Sequence, residues 1–74
     1  MSSLPMLKPR EVVAALKRGG FVETHSRGGH RYLWNERTKR MTSVPFHAGD
    51  VKRGTLMKIL RDSGITPEAF RKLL

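Results

Sequence analysis

Apolar positions recur in two rhythms along these 74 residues, and each rhythm predicts its own kind of element. Over Lys8–Arg18, Val12, Val13 and Leu16 fall within about 100° of one another around a helical axis, one apolar stripe. Pro9 suits the first turn, where an N–H has no intrahelical partner, Glu11 complements the positive end of the dipole, and Leu7 is placed to staple onto Val12. Gly19-Gly20 ends this helix, one glycine taking the left-handed cap. The rhythm then shortens. Phe21–His25, His30–Asn35 and Met41–Pro45 are rich in β-branched and aromatic residues and read as strands. Ser26–Gly29 and Glu36–Arg40 are short enough to close antiparallel hairpins, and Pro45, which cannot donate to a ladder, closes the third strand.

Alternation along the second strand puts His30, Tyr32 and Trp34 on one face and Arg31, Leu33 and Asn35 on the other. Both sets contain apolar residues, so the pattern leaves open which face meets the helices. After the loop Phe46–Asp50 the helical rhythm returns over Lys52–Asp62, with Leu56, Ile59 and Leu60 as the apolar set and Lys52, Arg53, Lys58 and Arg61 largely on other faces. Gly64 reads as a left-handed cap with Ile65 folded back onto Leu60. Thr66-Pro67-Glu68 restarts a helix whose apolar face is Phe70, Leu73 and Leu74. The order α-β-β-β-α-α predicts an α+β two-layer sandwich, a three-stranded antiparallel sheet with helices on one face. No repeat, linker or low-complexity tract divides the chain, so residues 1–74 are expected to form one domain.

Composition changes the picture in one respect above all. Fifteen Lys and Arg against six Asp and Glu give a net charge of +9. In a body this small, such self-repulsion destabilises the compact state unless a polyanion or an acidic partner offsets it. Two clusters hold much of the charge: Arg27, Arg31, Arg37, Lys39 and Arg40 around the hairpins, and Lys52, Arg53, Lys58 and Arg61 along the second helix. A single charge run is ordinarily a solvated surface; two in so short a chain favour nucleic acid. Lys52 and Arg53 open a helix, a place suited to phosphate. Tyr32 and Trp34 would either stack on bases or serve as sheet aromatics.

The absence of Cys excludes a disulfide framework and a thiolate zinc site. No apolar run approaches the roughly 20 residues of a membrane span, and the amino end lacks a charged leader segment. The cytoplasm is the expected location, and neither a membrane nor a small-molecule cofactor is expected as a partner.

Three histidines supply candidate chemistry: His25, His30 and His47. A lone histidine is ordinarily structural, though its titration near neutrality suits acid–base work. His30 stands apart because it follows Gly28-Gly29, where bare backbone admits a ligand, and because Arg27 and Arg31 flank it and would hold a phosphate. Scattered His and dispersed acids make no convincing zinc or two-metal set, and no Walker loop or Ser/His/Asp grouping is present.

The α-β-β-β-α order with lysine opening the last long helix resembles the double-stranded-RNA-binding domain. More specifically, a helix ending in Gly-Phe, then Arg27-Gly-Gly-His30-Arg, Val44-Pro-Phe-His47, Lys52-Arg-Gly-Thr-Leu56 and Ile59-Leu-Arg-Asp-Ser-Gly-Ile65 resembles the HicA (YcfA-like) toxin family, in order, from about Arg10 to Leu74. The resemblance implies a double-stranded-RNA-binding-like fold, metal-independent cleavage of mRNA and neutralisation by a HicB-type antitoxin. It places the catalytic histidine at His30, with Gly29 where the family commonly has Ser. His47 falls on a recurrent family position, as a structural hydrogen-bonder or a second proton donor. Arg27, Gly28, Gly29, Arg31, Lys52 and Arg53 are the expected RNA-binding residues. A non-catalytic RNA-binding module, and a protein whose basic face only docks an acidic antitoxin, are the alternatives.

Overall fold

A computed structural model describes residues 4–74. The start of the amino end, Met1 to Ser3, lies outside the described residues, and with it part of the segment read above for a leader. Six elements follow in the expected order: α1 (Pro9–Arg18), β1 (Val22–Arg27), β2 (His30–Asn35), β3 (Arg40–Pro45), α2 (Arg53–Ser63) and α3 (Pro67–Lys72). The three strands form one antiparallel sheet in the order β1-β2-β3. The architecture is the predicted α+β layout.

Local chemistry accounts for the element ends. Lys8 N–H donates to the Glu11 carboxylate at 2.8 Å, so Glu11 satisfies a free donor at the start of α1 as well as complementing its dipole. Gly20 (φ 101°) ends α1 while Phe21 N–H reaches back to Leu16 O at 3.0 Å, and Gly64 (φ 74°) ends α2 while Ile65 N–H reaches Leu60 O at 3.1 Å. Both are the paired-bond cap that a left-handed glycine permits. Thr66 caps α3, its hydroxyl accepting from Ala69 N–H at 3.1 Å.

Three expectations are corrected. The first turn is Gly28-Gly29 alone, with Ser26 and Arg27 in β1, because two residues with positive φ (58° and 81°) close a two-residue hairpin matching the twist of the strands. Phe21 lies outside β1 and is buried in the core. Leu74 is exposed rather than part of the α3 face, since α3 ends at Lys72.

The pairing register decides which face the helices cover. Leu33 lies opposite Thr42 and Arg31 opposite Val44; Leu33, Thr42, Val44 and Asn35 are all buried. They meet Val12, Val13, Ala15 and Leu16 of α1, Leu56, Ile59 and Leu60 of α2, and Phe70 of α3 in one core. His30, Tyr32 and Trp34 stand on the other, open face, with Pro45, Ser43 and Met41 across from them on β3. On the β1 side the ladder shifts between Glu23 and His25, leaving Thr24 as an extra residue in a bulge. Asn35 pins two turns at once: its amide donates to Gly19 O (3.4 Å), and its Oδ1 accepts from the N–H groups of Arg37 (3.0 Å) and Thr38 (3.2 Å).

Candidate functional site

The last rung of the β1–β2 hairpin pairs Arg27 with His30, immediately beside the Gly28-Gly29 turn. The turn is anchored from just beyond the third strand, because Phe46 N–H donates to Gly29 O at 2.6 Å. His30 is exposed, and its Nδ1 lies 3.3 Å from Gly28 O. An Nδ1–H donated to that carbonyl leaves the Nε2 lone pair facing outward.

His30 borders an open cleft of about 520 Å³ at the β3 edge of the sheet. One wall comes from the open face: His30 and Tyr32 of β2, Ser43 and Pro45 of β3. The other comes from α2, where Thr55, Lys58, Ile59 and Asp62 follow the i, i+3, i+4, i+7 spacing of one helical face. His47, two residues beyond β3, also lines the cleft. Lys58 and Asp62 form an ion pair at 2.8 Å within the helical wall. His47 also borders a second hollow of about 450 Å³ with Lys8, Arg10 and Phe46, so it sits between the cleft and a basic groove at the start of α1.

The expected site residues therefore divide. Arg27, Gly28, Gly29 and His30 are together at the hairpin tip, and His47 lines the same cleft as His30. Arg31 points to the covered side. Its guanidinium lies 4.0 Å from the centre of the Phe46 ring and 3.6 Å from the Glu23 carboxylate, which Lys17 also holds at 2.8 Å. The Lys17 hydrogen bond, with help from Arg31, lowers the Glu23 pKa below its ordinary value. Lys52 precedes α2 and is exposed, whereas Arg53 donates to Leu4 O at 3.2 Å and ties down the amino-terminal segment; neither lines the cleft.

Alternation along β2 puts Tyr32 on the face of His30, whereas Lys58, Ser43, Thr55 and Asp62 are cleft residues that reading the sequence did not bring there. A usable signal was present for the α2 members, which share one helical face. Among the described residues no group of three or more His, Asp and Glu is placed to hold a metal ion, and no helix is long and apolar enough to cross a membrane.

Comparison with known families gives one match: the model of the HicA toxin of bacterial toxin–antitoxin systems fits residues 9–65, from the first residue of α1 to the residue after the α2 cap. No curated protein matches the chain.

Proposed function

The chain belongs to the HicA family of toxins from bacterial toxin–antitoxin systems, and from that premise we propose that it is an endoribonuclease cutting mRNA by histidine acid–base chemistry. The observation that carries this reading is that His30 and His47 border one cleft, with Lys58 in its wall. On this reading Nε2 of His30 takes the proton of a ribose 2′-hydroxyl. The 2′-oxygen bonds to the adjacent phosphorus as the bond from phosphorus to the 5′-oxygen breaks. His47 in its charged form gives the leaving 5′-oxygen its proton. The products are a 2′,3′-cyclic phosphate and a 5′-hydroxyl end, with each histidine left in the other's starting protonation state.

Arg27, opposite His30 on the last rung, and Lys58 neutralise the phosphate, and the bare Gly28-Gly29 backbone lets the strand approach. Lys52 and Arg53 contribute to the general attraction for RNA rather than to the cleft, and Arg31 holds the hairpin to Glu23 and Phe46. The net charge of +9 supports both a polyanionic substrate and an acidic, HicB-like antitoxin as the restraining partner, with the cytoplasm as the place of action.

Cleavage of RNA in the presence of EDTA tests the proposal. His30→Ala is expected to lose at least about 100-fold in rate; equal cleavage by both proteins removes His30 from the mechanism. The contact from His30 Nδ1 to Gly28 O favours a second reading, in which this histidine only braces the turn of a non-catalytic RNA-binding module. That reading predicts binding whose log K falls by about 0.7–0.9 per phosphate neutralised as log salt rises, with no cleavage at any pH.

A further inference from the structure

Tyr32, Ser43, Thr55 and Asp62 line the His30 cleft without a part in the chemistry just proposed. Their arrangement is specific. The Tyr32 ring is stacked against His25, with centroids 4.5 Å apart and planes 3° from parallel. Thr24 secures that brace: its hydroxyl lies 3.0 Å from His25 Nδ1 and donates to Tyr32 O at 3.3 Å. His25 is on β1 and Ser43 on β3, on opposite flanks of β2, so the stack on His25 lies on the flank of Tyr32 away from Ser43, with which Tyr32 lines the cleft. Ser43, directly across from Tyr32, is short and leaves the floor open. On the opposite wall Thr55 and Asp62 supply polar groups, with Ile59 buried behind them in the core. Lys58 donates to one oxygen of Asp62 at 2.8 Å, which leaves the other oxygen as an acceptor.

We infer that this cleft is a pocket for one unpaired nucleobase, stacked on Tyr32 next to the phosphate attacked at His30; the inference rests on the reading of His30 as a centre of RNA cleavage. A braced aromatic ring in the wall of a cleft, with a small floor and a few polar groups, is the set that stacks a base and reads its edge. A base inside a duplex has both faces covered and cannot enter without being turned out of the stack. The substrate is therefore single-stranded or locally opened RNA, even though the layout resembles a domain that reads duplex shape. The Asp62 acceptor favours bases with an exocyclic amino group, adenine, cytosine or guanine, over uracil.

The test is equilibrium binding to a labelled single-stranded RNA whose 2′-hydroxyls are methylated, so that no cleavage intervenes. Tyr32→Ala is expected to weaken binding by roughly 5- to 150-fold, the loss of one base stack, and Tyr32→Phe to regain most of it. Ser43→Val keeps a good strand residue on the open face but fills the floor, and is expected to weaken binding similarly while melting like the wild type. Asp62→Asn is expected to narrow the preference for adenine, cytosine and guanine homopolymers over uracil.

Wild-type cleavage combined with unchanged binding by Tyr32→Ala and Ser43→Val overturns the pocket and leaves the histidine chemistry standing. Weakened binding by those variants, with cleavage indifferent to His30→Ala, keeps the pocket and overturns the histidine chemistry. Equal competition by the annealed duplex overturns the pocket. So does intact RNA binding by both variants accompanied by loss of an acidic protein partner, which would make the cleft a protein surface.

Discussion

The two faces of β2 differ in how far their residues are already committed. On the covered face the β2 residues are all engaged inside the molecule: Leu33 is fully buried in the core, Arg31 is held by Glu23 and Phe46, and Asn35 uses its amide on Gly19, Arg37 and Thr38. On the open face, His30 keeps one ring nitrogen free, Tyr32 borders the cleft, and Val22 and Met41 flank Trp34 with 64% and 56% of their surfaces exposed. A single strand thus carries fold and chemistry at alternate positions. Electrostatics follow the same division. The acid on the covered side, Glu23, is shared by two cations, whereas Arg27 at the hairpin tip has no ion pair among the described residues.

That contrast can be broken by substitutions on either side of the strand. Leu33→Ala is expected to destabilise by about 2–5 kcal/mol through the cavity it leaves, a loss of at least roughly 8 °C in melting temperature for a domain of this size. Asn35→Ala should cost about 1–3 kcal/mol, because two turns lose a shared buried partner; urea unfolding measures both. Glu23→Gln should cost less than about 1 kcal/mol at neutral pH, since the pairs are partly exposed. Its cost also has a pH window. The Glu23 pKa is lowered from 4.5 in the folded state, so the pairing contributes fully above pH 4.5 and fades as the pH falls through and below that value. The difference between wild type and Glu23→Gln is therefore expected to vanish in strong acid. Met41→Thr on the open face should change stability by no more than about 0.5 kcal/mol. A large effect there would mean that the open face contributes to the fold after all.

Much of the fold was legible because its punctuation is chemical: Pro9, Gly19-Gly20, Gly64 and Pro67 mark helix ends by what their backbones permit, and Thr66 by the cap its hydroxyl supplies. The orientation of the sheet was not legible from β2 alone, where Leu33 on one face competes with Tyr32 and Trp34 on the other. Val44 and Thr42 decide it through a long-range register that local pattern does not contain. The site shows the same limit. His30 announces itself beside two glycines, and His47 through the family resemblance, but Lys58 and Asp62 look like an ordinary i, i+4 surface pair. Only the packing of α2 beside β3 turns that pair into a wall of the cleft.

The bulge at Thr24 has a consequence for crowding. Among the described residues β1 is a free edge of the sheet, and beside it the apolar row of exposed Val22, half-buried Trp34 and exposed Met41 would reward a second copy for adding its own strand. The register jump between Glu23 and His25 splits that edge into two short stretches, so an incoming strand loses its hydrogen-bond match within a few residues. Together with the +9 charge, the kink keeps separate copies from stitching into a continuous sheet. The same extra residue that braces an aromatic pair thus also guards the protein against aggregation.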